Sequence, residues 1–197
     1  MSRILVTGST DGVGRATAAA LLDEDHDVVV HARSLQRLAA IEDLTARGAR
    51  AVVGDLADPA EVEGIAEQAH GIGPVDAVIH NAGVIDGPDM LQVNVLAPYV
   101  LTAHVPASRL IYLSSSMHRG GRADLSRIDG SGAAATYSDS KLFVRRGSRS
   151  SCARSSPSAP ARCCRAVPAR PPADRASQRG GTAVLVHGRG RVPGSQR

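Results

Sequence analysis

Two patterns of apolar residues alternate along the first three quarters of the chain. Short apolar runs, each of which predicts a buried strand, lie at residues 4–6, 27–31, 51–53, 75–80 and 109–114. Segments between them have a composition or spacing that predicts helices, at residues 16–22, 35–44, 58–70 and 90–104. Strands that alternate with helices predict a parallel sheet with helices on both faces, a doubly wound α/β fold.

The composition changes abruptly near residue 145. Residues 1–144 carry 11 basic and 18 acidic side chains, whereas residues 145–197 carry 12 arginines and a single acidic side chain. Outside residues 182–187, a possible strand, the second part has no apolar periodicity of either kind. Low hydrophobicity with high net charge predicts disorder. We therefore predict two parts, a folded nucleotide-binding domain at 1–144 and a disordered tail at 145–197.

Several classes of site and of location are disfavoured. The three cysteines form no Cys-x-x-Cys pair, so we expect neither a zinc site nor a disulfide framework. The first predicted strand begins almost at Met1, and no apolar run approaches the length of a membrane span. We expect a cytoplasmic protein without membrane contact. The basic tail lacks aromatic residues and known motifs, which disfavours nucleic-acid binding.

A glycine-rich segment joins the first predicted strand to the first predicted helix. It contains Thr7, Gly8, Thr10, Asp11, Gly12, Val13, Gly14 and Arg15. Backbone N–H groups and the helix dipole favour an anion at a helix N-terminus, and glycine lets a pyrophosphate approach closely. The segment predicts a dinucleotide site, and the alternative is a tight turn that binds no ligand.

Residues at the ends of the next strands suggest which nucleotide is bound. The second strand runs into His31-Ala32-Arg33-Ser34, without the acidic side chain that would hold a ribose 2′-hydroxyl. Arg33 and Arg15 could instead bind a 2′-phosphate through charge-assisted hydrogen bonds, which favours NADP(H) over NAD(H). The alternative is that both arginines are solvated surface charges. Asp55, after the third strand, either accepts a hydrogen bond from adenine or only forms a turn.

A tyrosine and a lysine lie four residues apart and so share one face of a helix. A tyrosine is a poor acid–base catalyst at neutral pH unless its phenolate is stabilised. The ammonium group of Lys141, one turn from Tyr137, would lower the pKa of the phenol when a cationic nicotinamide lies beside it. Lys141 is the only lysine of the chain, which argues against an incidental pair.

These motifs, in this order, resemble those of the short-chain dehydrogenase/reductase family over residues 3–144. The spacing Thr-Gly-x-x-x-Gly-x-Gly resembles its cofactor loop, and Asn81-Ala82-Gly83 resembles the turn that closes over the adenine side of the cleft. Tyr137-x-x-x-Lys141 resembles its catalytic pair. The long segment between Ser116 and Tyr137 resembles the retinol dehydrogenase and WW-domain oxidoreductase branch.

The resemblance implies a Rossmann-type fold and hydride transfer between NADP(H) and a small-molecule carbonyl or secondary alcohol. It makes Tyr137 the acid/base, and it assigns Lys141 to lowering the pKa of that tyrosine and holding the ribose. Ser115 would orient the substrate oxygen, and Asn94 would support a water chain to the lysine. The cofactor contacts that it implies are Thr7, Gly8, Thr10, Asp11, Gly12, Val13, Gly14, Arg15, Arg33, Asp55, Leu56, Asn81, Ala82, Gly83, Tyr137 and Lys141. A homodimer or tetramer is usual for the family.

The resemblance stops after Val144. The family continues the Tyr–Lys helix and adds two strands, a Pro-Gly turn and a substrate lid, none of which is recognisable at 145–197. The segment is dominated by Arg, Ala, Pro, Gly and Ser. These residues are expected when a GC-rich coding sequence is read in the wrong frame. We predict that the coding frame is lost near residue 145, and the alternative is a genuine basic tail. The predicted function is an NADP-dependent oxidoreductase; the alternative is an inactive, truncated remnant that binds nucleotide at most.

Overall fold

A single sheet of seven strands organises the protein in a computed structural model, which describes residues 1–128, 134–154, 165–168 and 182–188, with side chains up to residue 147. The strands are β1 (Arg3–Val6), β2 (Asp27–Ala32), β3 (Arg50–Val53), β4 (Ala77–His80), β5 (Arg109–Ser115), β6 (Arg165–Pro168) and β7 (Thr182–Gly188). The α-helices are α1 (Gly12–Asp23), α2 (Glu42–Ala46), α3 (Pro59–Ile72), α4 (Ala97–His104) and α5 (Tyr137–Arg154).

The first five strands are parallel and follow the order β3-β2-β1-β4-β5. Leu5 of β1 lies opposite Val29 on one side and Val78 on the other. The strand order reverses at β1, because the chain leaves β3 through α3 and returns to the far side of β1. Ligands of such sheets bind at this reversal, beyond the carboxyl ends of the strands. The predicted doubly wound, Rossmann-type sheet is confirmed.

Each face of the sheet carries its own apolar core. Leu5 belongs to the core beneath α3 and α4, whereas its neighbours Ile4 and Val6 belong to the core beneath α1 and α2. This alternation is the two-residue period of a strand. Because both faces are covered, β1 needs apolar residues at successive positions, which explains its continuous apolar run.

The helices follow the predicted order with two local differences. Asp58 caps α3 by accepting a hydrogen bond from the Ala60 N–H at 2.8 Å, with Pro59 in the first turn, as the sequence suggests. The helix predicted over 35–44 is instead a 3₁₀ helix (Leu35–Ile41) followed by α2. Ile41, the last residue of the 3₁₀ helix and the N-cap of α2, is buried and has a non-helical backbone. The helix predicted from residue 90 contains a π-helical turn at Gln92–Leu96.

The segment after Val144 contains more regular structure than the sequence suggests. Helix α5 continues to Arg154, past the predicted break. Strand β7, which includes the possible strand at 182–187, pairs antiparallel with β5, and β6 pairs antiparallel with β7. An apolar strand of this kind satisfies the backbone groups that the edge of β5 would otherwise expose. The rest of the predicted disordered tail lies outside the described residues, and the predicted loss of frame stays a prediction.

Among the helices of the described ranges, none combines the length and the apolar composition that crossing a bilayer requires.

Candidate active site

A cleft of about 730 Å³ opens where the strand order reverses, and extends from the glycine loop (residues 7–15) to α5. Most of the predicted site residues line it: Gly8, Thr10, Asp11, Gly12, Val13, Gly14, Arg33, Asp55, Leu56, Asn81, Ala82, Gly83, Tyr137 and Lys141. The other four, Thr7, Arg15, Asn94 and Ser115, lie outside the lining. One continuous cleft thus brings the predicted phosphate loop and the predicted catalytic helix together.

The N-terminus of α1 has no side-chain cap. The side chain of the N-cap residue, Asp11, makes no hydrogen bond to the helix, and its carboxylate instead accepts a hydrogen bond from Arg37 at 2.9 Å. The first turn of α1 carries no acidic side chain. Uncapped N–H groups at a helix N-terminus favour an anionic ligand. This end of the cleft therefore fits the pyrophosphate of a dinucleotide.

Two glycines let the loop pack tightly against the turn after β4. A Cβ atom on Gly14 would overlap the Gly8 carbonyl oxygen and the Asn81 side chain. Gly8 has a φ of +66°, and a Cβ there would lie 3.0 Å from the Cα of Ala82. Larger residues at either position would displace backbone, so the cradle depends on glycine.

Thr7 and Asn81 hold the two sides of the strand-order reversal together. The Thr7 hydroxyl oxygen accepts hydrogen bonds from the N–H groups of Asn81 and Ala82, both at 3.1 Å. The Asn81 amide donates to the carbonyl oxygens of Thr7 at 2.9 Å and Gly8 at 3.0 Å. Thr7 is buried beneath the loop. It therefore supports the cleft from behind and does not line it.

The structure separates the two arginines that the sequence assigns to a 2′-phosphate. Arg33 lines the cleft, whereas Arg15 is paired with Asp43 at 2.8 Å and donates to the Ala40 carbonyl oxygen at 3.2 Å, outside the lining. A different cation, Arg37, lines the cleft and donates to Thr10 Oγ1 at 3.2 Å. Sequence reasoning missed Arg37, although its place in the first turn after β2 was a signal for it.

The far wall of the nucleotide end is formed by the segment after β3. Asp55 lines the cleft, and its carboxylate accepts a hydrogen bond from the Ala57 N–H at 2.9 Å, as expected of a turn former. Its hydrogen bond with adenine stays a prediction. Leu56 beside it is buried. His31, at the end of β2, also lines the cleft and is buried. Sequence analysis did not assign a role to that histidine.

Tyr137 and Lys141 line the other end of the cleft, and Ser115, behind the lining, makes a hydrogen bond with Tyr137. Burial raises the pKa of Tyr137 above its usual value, while a hydrogen bond with the Ser115 hydroxyl acts in the opposite direction. Lys141 Nζ lies 5.4 Å from the centroid of the Tyr137 ring and donates a hydrogen bond to the Leu113 carbonyl oxygen at 3.3 Å. Burial lowers the pKa of Lys141 to about 8. The geometry places a proton donor, a hydroxyl partner and a cation around one point.

Asn94 lies behind this point, in the π-helical turn. Its side-chain oxygen accepts from the Val84 N–H and its nitrogen donates to the Val84 carbonyl oxygen, both at 2.8 Å. The same nitrogen donates to Ser140 Oγ at 3.1 Å, one residue before Lys141. A Cβ on Gly83 would lie 3.1 Å from Asn94 Oδ1 and 3.3 Å from Lys141 Nζ. Asn94 therefore joins the turn after β4 to α5, and π-helical turns are frequent at functional sites.

The N-terminus of α5 is fixed by a buried carboxylate that sequence analysis did not single out. Asp139 accepts hydrogen bonds from the Thr136 N–H at 2.8 Å and from the Arg122 N–H at 2.6 Å. It also pairs with Arg127 at 3.1 Å. Burial alone would raise the pKa of Asp139, but these hydrogen bonds and the charge of Arg127 outweigh it and lower the pKa. The Asp139 network sets the position of Tyr137, the first residue of α5.

Comparison with known proteins agrees with this arrangement. Residues 2–110 match the model of the family described as short chain dehydrogenase. An uncharacterized oxidoreductase of Emericella nidulans is 40% identical over 156 residues, which cover 72% of this chain and 60% of the relative. The short-chain dehydrogenase chyC of Penicillium rubens is 41% identical over 138 residues, which cover 65% of this chain and 54% of the relative. The chain thus spans little more than half the length of these curated relatives.

The fold of this chain is similar to that of a solved structure over most of the length of both proteins. The crystal structure of a blue fluorescent protein from a metagenomic library, in complex with NADPH, has a TM-score of 0.60 and 27% identity, and the likeness covers 78% of this chain and 68% of that chain. The family match ends at residue 110, before Ser115, Tyr137 and Lys141. The roles of those three residues therefore depend on geometry.

Proposed function

The chain belongs to the short-chain dehydrogenase family, and on this premise we propose that it is an NADP(H)-dependent oxidoreductase that acts on a small-molecule carbonyl or secondary alcohol. One observation carries the proposal: a single cleft joins the uncapped N-terminus of α1 to Tyr137 and Lys141. The first end fits a dinucleotide phosphate, and the second presents groups that can exchange a proton with a bound oxygen.

The residues around the glycine loop would hold the cofactor. The loop N–H groups at the start of α1 bind the pyrophosphate, and Asp55 with Leu56 forms the adenine side. Arg33 and Arg37 supply the positive charge that a 2′-phosphate needs, because guanidinium groups bind phosphate through paired, charge-assisted hydrogen bonds. The NADPH bound in the 27%-identical structure supports the same preference. Arg15, held by Asp43, takes no part.

At the other end of the cleft, the residues of this chain handle the proton. When bound, a nicotinamide supplies or accepts the hydride. Tyr137 holds its proton at neutral pH, because burial raises the pKa of its hydroxyl, and it donates that proton to the substrate oxygen during reduction. Ser115 donates a hydrogen bond to the same oxygen and orients it. The ammonium group of Lys141 stabilises the phenolate that remains on Tyr137.

Asn94 acts on this reaction through position. Its bonds to Val84 and Ser140 hold α5 against the turn after β4, which keeps Lys141 next to the cleft. In the direction of oxidation, Tyr137 must first lose its proton, and Lys141 assists only while it is charged. The pKa of Lys141, lowered to about 8 by burial, therefore limits the pH range of the mechanism.

A second candidate is a protein that binds dinucleotide without turnover. It is favoured by the length of the match, because the part of this chain that aligns spans only 60% and 54% of two curated relatives. The two candidates share the glycine loop and differ only at the α5 end of the cleft.

Transfer of a labelled hydride separates the two. The protein is incubated with NADPH deuterated at C4 and a panel of aldehydes and ketones, and products are analysed by mass spectrometry. The proposal predicts deuterium at the carbinol carbon of at least one product, in amounts that scale with protein. NADPH binding without deuterium transfer to any carbonyl would favour the second candidate, and absence of NADPH binding would contradict both.

A further inference from the structure

A single buried imidazole connects three segments of the nucleotide end of the cleft. His31 Nδ1 accepts a hydrogen bond from the Gly8 N–H at 3.0 Å, and His31 Nε2 lies 2.8 Å from the Gly54 carbonyl oxygen. The His31 backbone also pairs with Ser9, whose N–H donates to the His31 carbonyl oxygen at 3.0 Å. Only 2% of the His31 surface is exposed. The side chain thus ties the glycine loop to the residue before Asp55.

These two partners require one protonation state. The Gly8 N–H can only donate, so Nδ1 must carry a lone pair, and the Gly54 carbonyl can only accept, so Nε2 must carry the proton. The neutral Nε2–H tautomer satisfies both. A protonated imidazole would direct an N–H group at the Gly8 N–H, and one of them would lose its partner inside the fold. Gly8 then has to move, and with it the phosphate cradle.

We propose that His31 is a positioning residue for dinucleotide binding: its neutral form holds the glycine loop and the end of β3 in the binding conformation, and its protonation releases them. This inference rests on the proposed function in one respect, that a dinucleotide binds at the glycine loop. It adds that a group without a place in the reaction makes this binding pH-dependent.

Burial outweighs the charged groups around the cleft in setting the pKa of His31. Asp11 lies in the glycine loop, Arg33 and Arg37 follow β2, and Asp55 follows β3. Burial lowers the pKa of His31 below its usual value, against smaller opposing effects of the Gly54 hydrogen bond and the Asp55 charge. The imidazole is therefore neutral at pH 7, and binding weakens only as the pH falls below 6.5 towards that lowered pKa.

Calorimetric titration of ADP-ribose tests the proposal. This probe has the pyrophosphate and adenosine but lacks the 2′-phosphate, which itself titrates near pH 6. The matched variants are His31→Asn and His31→Leu, which have nearly the same shape. The asparagine oxygen can accept from the Gly8 N–H without titrating, whereas leucine offers no acceptor.

The proposal predicts a distinct pH profile for each protein. Affinity of the wild type is constant from pH 8 to 6.5 and falls at lower pH, approaching about tenfold per pH unit below the pKa of His31. The affinity of H31N for ADP-ribose at pH 8 is within a few-fold of that of the wild type. At lower pH its affinity falls less than that of the wild type, because asparagine does not titrate. H31L binds about tenfold more weakly at every pH, the effect expected for one lost buried hydrogen bond.

Three results separate the possible failures. Equal affinities of H31L and H31N at pH 8, or one shared pH profile for the wild type and H31N, would overturn the inference. Absence of ADP-ribose binding by folded wild type at pH 8 would instead overturn the proposed function. Nitrogen-15 NMR of the wild-type imidazole tests the tautomer without any variant, and an Nδ1–H tautomer at pH 7 would also overturn the inference.

Discussion

Lys141 Nζ and the Tyr137 ring centroid lie 5.4 Å apart, while the ammonium group donates its hydrogen bond to the Leu113 carbonyl oxygen. The lysine thus lies beside the tyrosine in the lining of the cleft, and Asn94 contacts Ser140, the residue before the lysine. A cation at this position would stabilise the phenolate form of Tyr137. In the proposed function this relationship assigns proton transfer to Tyr137, and the first two predictions follow from that assignment.

Replacement of Tyr137 by phenylalanine removes the proton donor but keeps the ring. We expect Tyr137→Phe to lower kcat by about 10²- to 10⁴-fold, the usual contribution of a general acid. NADPH affinity stays close to that of the wild type, because the hydroxyl lies at the far end from the glycine loop. Tyr99→Phe, at an exposed position on α4, is the matched control and keeps full activity. Turnover of Tyr137→Phe near the wild-type rate would make the Tyr–Lys pair ordinary helix packing.

The charge on Lys141 sets an alkaline limit for carbonyl reduction. Since burial lowers the pKa of Lys141 to about 8, the ammonium group is lost as the pH rises through 8, and we expect kcat/KM to fall there. Arginine stays charged to above pH 12, so Lys141→Arg should lack this limb while reacting more slowly. A profile for Lys141→Arg that falls at the same pH as the wild type would assign the limb to another group.

Cofactor preference separates the three arginines near the loop. Arg33→Ala and Arg37→Ala should each weaken NADPH binding about tenfold or more and leave NADH binding nearly unchanged, since each removes a charged partner of the 2′-phosphate. Arg15→Ala is the matched control, because Arg15 is paired with Asp43 outside the cleft, and it should bind NADPH as the wild type does. Fluorescence titration of both cofactors measures this. An effect of Arg15→Ala equal to that of Arg37→Ala would contradict the assignment.

The carboxylate of Asp139 stabilises the start of α5. Asp139→Asn leaves the partly buried Arg127 without its counter-charge, and we expect the free energy of unfolding at pH 7 to fall by about 3 kcal/mol. The pKa of Asp139 is lowered in the fold, so its contribution is present above the unfolded pKa near 3.9 and is lost as the pH falls through the lower, folded value. The difference between wild type and variant should therefore shrink below about pH 4.

Urea unfolding at several pH values measures this contribution. The control is Asp124→Asn, an exposed carboxylate in the same segment, which should cost about 1 kcal/mol or less. Equal effects of the two substitutions would show that the Asp139 network is not specially stabilising.

Local chemistry explains what could be predicted from the sequence. The glycine loop was predictable because strand, glycines and helix are adjacent in the chain, and in this fold Gly14 has no room for a Cβ atom. Tyr137 and Lys141 were predictable as a pair because one helix turn fixes their spacing. The sheet order followed from the alternation of strands and helices and from the handedness of their crossovers.

Tertiary packing explains what could not be predicted. Arg15 and Arg37 are the same residue type, and what distinguishes them is tertiary pairing: Arg15 pairs with Asp43 outside the cleft, whereas Arg37 pairs with Asp11 in its lining. His31 and Asp139 depend on partners far apart in the chain, as in the His31 contacts with Gly8 and Gly54. The apolar run at 182–187 indicated a possible strand, but the antiparallel pairing of β7 with β5 and of β6 with β7 involves backbone groups and could not be predicted from the side-chain pattern.

The central claim is that the cleft binds a nicotinamide dinucleotide at the glycine loop. NADPH fluorescence titration of the wild type, Gly14→Ala and Gly64→Ala tests it most directly. A Cβ at Gly14 meets the Gly8 backbone, whereas one at Gly64, on α3, meets nothing within 4 Å. We predict saturable binding by the wild type and Gly64→Ala and severe loss in Gly14→Ala. Folded wild-type protein that binds no NADPH, or Gly14→Ala that binds it as tightly as Gly64→Ala, would contradict the claim.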